Sequence, residues 1–83
     1  MAYSKDDIYA KLSEYLVEMF EVPAASIRPE ARLAEDLDLD SIDAVDLIVR
    51  FQGLIGKKIP PEEFKSVRTV ADVVDKVHAL VQE

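Results

Sequence analysis

Apolar residues recur at helical spacing in three stretches of the chain. In the first, Ile8, Leu12, Tyr15, Leu16, Met19 and Phe20 fall on one face. Ser4 lies before them with Asp7 three residues on, the pattern of a helix start in which two side chains satisfy each other's backbone N–H groups. The spacing predicts a helix from about Lys5 to Phe20. In the last stretch Val70, Val73, Val74, Val77 and Val81 follow a similar start at Thr69 and Asp72. Valine is stiff at χ1 and a mediocre helix former, so this helix must draw its stability from packing. Between the first two helices, Pro23 and Pro29 keep the chain out of helix. Residues 21 to 40 show no clear periodicity, and segments of about 20 residues without it are usually functional or disordered. Ile27, Leu33, Leu37 and Leu39 are the candidates to pin this segment to the core. Gly56 and Lys57-Lys58 mark a turn, and Pro60-Pro61-Glu62-Glu63 reads as the start of a short helix with proline in its first turn. The pattern predicts an all-α fold: a small four-helix bundle of three longer helices and one short helix, with a long loop between the first and second helices.

The middle helix has two apolar sides. It is expected to begin near Ser41, with Asp40 or Ser41 as its cap and Asp43 and Asp46 in its first turns, and to end near Gly53. On a wheel of roughly 100° per residue, Ala44, Leu47, Ile48, Phe51, Leu54 and Ile55 gather on one side. Ile42, Val45 and Val49 gather nearly opposite, beside Asp46. A helix in a small bundle needs one apolar stripe. The second is either covered by the long loop or exposed to a partner.

Composition narrows the chemistry. At 83 residues the chain is expected to form a single domain, 1–83, with one small core and no deep cleft between lobes. It has no Cys and one His, which removes disulfides, thiolate metal sites and a cysteine nucleophile, and leaves little for a catalytic triad. His78 reads as a packing or surface residue. The central apolar run Leu47-Ile48-Val49 is far too short to span a bilayer. Lys5, Asp6, Asp7 and Lys11 precede any apolar stretch, so no signal peptide is expected and a cytoplasmic location is the default. The net charge of −7 argues against nucleic-acid binding, and Tyr3, Tyr9 and Tyr15 are too scattered to stack bases. From Leu33 to Val49 there is no Lys or Arg, but there are Glu35, Asp36, Asp38, Asp40, Asp43 and Asp46. Outside that window 11 acids face 10 bases, so nearly all the excess charge lies in it. Such a stretch is either a solvated helix start or a docking patch for basic partners. Asp36, Asp38 and Asp40 match the first positions of a calcium loop. Ser41 then stands where Gly is required and Leu47 where Glu is, so no high-affinity calcium loop is expected, only weak divalent-ion binding at the acidic patch.

The segment Leu37-Asp38-Leu39-Asp40-Ser41-Ile42-Asp43, preceded by Glu35-Asp36 and followed by Val45-Asp46-Leu47, resembles the modification site of the acyl carrier protein family. That family's usual core is Asp-Ser-Leu at the start of the second helix, commonly with a Gly two residues before the Asp. The resemblance extends over nearly the whole chain, from the capped first helix to Ile59-Pro60 and the Thr-Val start of the last. It implies that Ser41 receives 4′-phosphopantetheine from coenzyme A through a phosphopantetheinyl transferase. It implies a carrier, not an enzyme, that holds acyl groups as thioesters for fatty-acid or polyketide/polyene-type biosynthesis. Acyl-activating and ketosynthase-type enzymes would be its partners, meeting a monomer at Asp40, Ile42, Asp43, Val45, Asp46 and Val49.

The residues agree in part. A helix N-terminus favours a phosphate, although Asp40 and Asp43 oppose its charge. Ser41 has no base beside it in the sequence pattern, which makes it a substrate and not a nucleophile. The plainer reading of Ser41 is a helix cap. Two further readings stay open: a peptidyl or aminoacyl carrier, and an unmodified helical interaction module. The sequence also departs from the family pattern. Asp38 stands where Gly is usual, a residue that also visits left-handed conformations. Ile42 replaces Leu. Arg50, Gln52 and Gly53 occupy a region richer in acids in fatty-acid carriers, which points to a specialised pathway. An acyl chain folded back into the bundle would meet Leu47, Ile48, Phe51 and Val73.

Overall fold

The computed structural model describes residues 3–64 and 66–81, which form three α-helices: α1 (Lys5–Phe20), α2 (Ser41–Ile55) and α3 (Val70–Val81). Each begins on the reciprocal cap that its sequence carries. Ser4 Oγ accepts from the Asp7 N–H at 3.1 Å while Asp7 Oδ2 accepts from the Ser4 N–H. Thr69 and Asp72 form the same pair at α3. These arrangements satisfy backbone donors that a helix start otherwise leaves open. α1 ends with Glu21 in the left-handed region (φ 55°). α2 ends with Gly56 (φ 71°), whose N–H donates to the Gln52 carbonyl. Thus α2 runs two residues past Gly53. Leu54 and Ile55 pack against the core and carry the helix to a glycine that can adopt the left-handed cap.

α1 packs mainly on α3 and more lightly on α2. Ile8, Leu12, Tyr15 and Leu16 of α1 are buried against Val70, Val73, Val74 and Val77 of α3 and Leu47, Ile48 and Phe51 of α2. Burying each aliphatic side chain contributes roughly 1.5–3 kcal/mol, which is how a valine-rich α3 stays helical. Tyr15 and Phe51 meet edge to face, with ring centroids 5.3 Å apart. Two surface ion pairs, the exposed Lys5 with Asp75 and the half-buried Lys76 with Glu63, add little beside this core.

Two expectations change in detail. The short helix expected at Pro60-Pro61-Glu62-Glu63 is a four-residue 3-10 turn, Pro61–Phe64. The segment between α1 and α2 is built of turns, including a 3-10 turn at Ala24–Ser26, and is fastened to the far end of the chain. An isolated antiparallel bridge joins Arg32 and Thr69. Around it the Leu33 N–H donates to the Arg68 carbonyl, the Val70 N–H to Ala31 and the Ala71 N–H to Pro29. Ile27, Leu37 and Leu39 are buried and Leu33 half-buried, as their apolar character suggests; Val22 and Ala31 join them in the core.

Candidate functional site

The site forms where the inter-helix segment turns into α2. Asp38 sits in the left-handed region at φ 58°, the conformation for which a glycine is the easy choice. The Leu39 N–H then closes back on the Leu33 carbonyl at 2.9 Å, burying Leu37 and Leu39 on either side of the exposed Asp38. This turn delivers Asp40 as the cap of α2. Its Oδ1 accepts from the Asp43 N–H at 2.9 Å, and Asp43 Oδ2 accepts from the Asp40 N–H at 3.2 Å.

Because Asp40 is the cap, Ser41 is not. Ser41 is the first residue of α2 and is exposed, and its hydroxyl makes no hydrogen bond among the described residues. A serine in this position offers an unspent nucleophilic oxygen at the positive end of a helix dipole. With no base on its hydroxyl it lacks the means to attack by itself. The two neighbouring carboxylates each accept a backbone N–H, which fixes them on either side of Ser41.

The rest of the predicted face divides by exposure. Ile42, Val45 and Val49 are 70%, 43% and 57% exposed, while Phe51 on the other side of α2 is 1% exposed. Asp46 lies exposed between Val45 and Val49 and makes no hydrogen bond or ion pair among the described residues. The inter-helix segment therefore does not cover the second stripe.

A groove of ≈ 880 Å³ opens beside Ser41. Ala44, Leu47 and Ile48 of α2 form one wall, and Leu39 and the apolar pair Phe64 and Val67 form the others. Val45 lies on its edge and so belongs to both the stripe and the groove. Of the four residues expected to meet a folded-back chain, Leu47 and Ile48 line this groove. Phe51 and Val73 do not; they are buried in the core. Sequence reasoning read Leu33 as a core residue and missed Phe64 and Val67. The three come together beside the place where residues 31–33 pair with 68–70, segments far apart in the chain. Arg32 stands at the rim, paired with Glu35 at 2.7 Å and with Asp36 at 3.7 Å. Its backbone N–H donates to Asp36 at 2.8 Å and, with the nearby guanidinium charge, holds that carboxyl below its ordinary value.

Comparison with known proteins agrees with this geometry. The model of the family described as "phosphopantetheine attachment site" matches residues 10–77. Acyl carrier protein 2 of Ralstonia nicotianae is 47% identical over 94% of this chain and 96% of its own length. The chain belongs to the acyl carrier protein family. An acyl carrier protein of Thermobifida fusca is 39% identical over 93% of the chain and 98% of its own. The meromycolate extension acyl carrier protein of Mycolicibacterium aurum is 36% identical over the whole chain and 86% of its own. As a member of this family the chain is a carrier and not an enzyme, its cofactor is 4′-phosphopantetheine, and it works with a phosphopantetheinyl transferase and synthase enzymes. It serves fatty-acid or polyketide-type biosynthesis. No described helix is long and apolar enough to cross a membrane.

Proposed function

We propose that Ser41 is the attachment residue and that residues 1–83 act as one monomeric carrier domain in the cytoplasm. The observation that carries this reading is the division of labour at the start of α2: Asp40 takes the capping role and leaves the Ser41 hydroxyl exposed and unbonded. Ser41 would hold the cofactor through a phosphodiester at its Oγ. When bound, the cofactor supplies a terminal thiol to a chain that has none of its own, and acyl groups are held there as thioesters. The α2 N–H groups near Ser41 favour the phosphate. Asp40, Asp43 and Asp46 give basic enzymes a field to follow, and Ile42, Val45 and Val49 give them apolar area to bury once there. The Pro61–Phe64 turn stands where the short helix of a four-helix bundle would lie. We assign it that role at the groove, as one wall beside the longer segment between α1 and α2.

The test is the intact mass of the protein after incubation with coenzyme A and a phosphopantetheinyl transferase. Wild type should gain one phosphopantetheine increment and Ser41→Ala none, with helicity nearly unchanged because Asp40 remains the cap. A modified Ser41→Ala protein would falsify the assignment. Loading assays with acyl-activating and amino-acid-activating enzymes separate an acyl carrier from a peptidyl or aminoacyl one.

A further inference from the structure

The acids of α2 stop at Asp46, and its second half carries Arg50, Gln52 and Gly53. The structure accounts for one of them within the fold. Gln52 Oε1 accepts from the Ile59 N–H at 2.7 Å and so ties the chain after α2 back to the helix. Gly53 has no such account, and Arg50 has only a ring beside it and no carboxylate. Arg50 is exposed and makes no ion pair among the described residues. Its guanidinium lies over the Tyr15 ring, 5.7 Å from the centroid. Asp46 is one turn earlier, in the order acid before base that favours an ion pair along a helix, yet the two are not joined. Gly53 is one turn beyond Val49 and beside Arg50 on the same exposed side. A Cβ added there would meet nothing within 4 Å, and its φ is not in the left-handed region. Nothing in the packing or backbone of this chain requires a glycine at a helix position where glycine is a poor choice.

Together these features give α2 an ordered surface. Asp40, Asp43 and Asp46 lie toward the Ser41 end, the apolar stripe runs down the middle, and a cation beside a bare patch of backbone closes the other end. We propose that Arg50 and Gly53 form a second recognition point for the ketosynthase-type enzyme that docks on α2. That enzyme would present cations around the Ser41 entrance and a carboxylate, backed by a close-fitting surface, over Arg50 and Gly53. Charge complementarity at both ends fixes the direction in which the helix is read, and a like charge at either end rejects the wrong partner. The ring of Tyr15 holds the guanidinium without neutralising it, so the cation stays available to a carboxylate. The bare Gly53 lets the partner's backbone come close. This inference rests on the carrier reading, in which α2 is the docked face.

The experiment uses the full-length holo protein and the ketosynthases of its source organism, each purified singly, with dissociation constants measured at low salt. Arg50→Glu should weaken binding to at least one of them about tenfold or more, and reversing the charge of the facing carboxylate on that enzyme should restore it. Gly53→Leu should weaken the same complex by a similar factor while leaving the thermal midpoint of the carrier unchanged or higher. That result separates a docking role from a structural one. Both variants should still gain the phosphopantetheine increment on Ser41. Absence of that increment from wild type overturns the carrier reading itself. The increment combined with unchanged ketosynthase binding by both variants, or with no ketosynthase binding by wild type, overturns the second recognition point alone.

Discussion

At the scale of single residues, the turn before Ser41 depends on one backbone conformation. Asp38 holds φ 58° with its side chain in solvent, so what it contributes is the ability to occupy the left-handed region. A β-branched residue pays for that conformation in steric strain, about 1–2 kcal/mol. Asp38→Val should therefore cost about that much stability, read as a lower urea midpoint with an unchanged slope of the transition. Asp38→Gly relieves strain but loosens the unfolded chain, and the two effects nearly cancel, so its stability should stay within about 0.5 kcal/mol of wild type. The left-handed turn was implied by the resemblance, which puts Gly at this position, and Asp is one of the few other side chains that tolerate it. The division between Asp40 and Ser41 was not. Both residues are good helix caps, and only the backbone geometry decides that Asp40 bonds to Asp43 and leaves Ser41 unbonded.

At the scale of elements, α2 carries two faces whose substitutions should have opposite consequences. Phe51 is buried against Tyr15, and Phe51→Gln both opens a cavity and buries an amide, at a cost of about 3 kcal/mol or more. Val49 is more than half exposed, so Val49→Gln should move stability by less than about 0.5 kcal/mol. If Val49 sits at a docking hot spot, the same change should slow modification or acyl transfer roughly tenfold. Equal destabilisation by the two variants would make the stripe part of the core. The wheel separated these faces correctly because helical periodicity is local. The fastening of residues 31–33 to 68–70 is not local, and no periodic signal marks it. Beside it, on each segment, one carboxyl bonds locally to the backbone. Asp72 is held below its ordinary value chiefly by the Arg68 N–H and then by the Thr69 N–H, as Asp36 is by Arg32. A depressed folded-state value adds stability above the unfolded value near 3.8 and loses it as pH falls through that range. The Asp36→Asn, Asp72→Asn double variant should thus be less stable than wild type at neutral pH. Urea midpoints followed downward in pH should show that gap closing below about pH 4, once the wild-type carboxyls are themselves protonated.

At the scale of the whole molecule, the fold sets a reactive end beside an apolar opening. The bundle measures only 31 × 23 × 20 Å, and its core is filled by side chains of all three helices. The opening therefore does not run through the middle of the bundle toward Phe51 and Val73. It lies to one side, where α2 faces two non-helical segments, and Ser41 stands at its edge. Its volume of ≈ 880 Å³ falls within the usual range for sites that take small organic ligands, roughly 300–1,000 Å³. An acyl chain on a Ser41-linked arm can exchange water for Ala44, Val45, Phe64 and Val67 along the groove, with the buried Leu47 and Ile48 beneath it. Each methylene buried there contributes about 0.8 kcal/mol. An intramolecular ligand held only by the folded state stabilises that state, so the thermal midpoint should rise from the holo form to acyl forms of increasing length. The rise should stop once the groove is full, because further carbons must leave it. Val67→Asp would bring a carboxylate into the apolar wall. It should lower the acyl-dependent increment while changing the midpoint of the holo form much less, since Val67 is only half-buried. Differential scanning calorimetry of the apo, holo and acyl series of both proteins measures this. A midpoint that does not depend on chain length would leave the acyl group in solvent. An equal increment in the variant would place the chain elsewhere on the bundle.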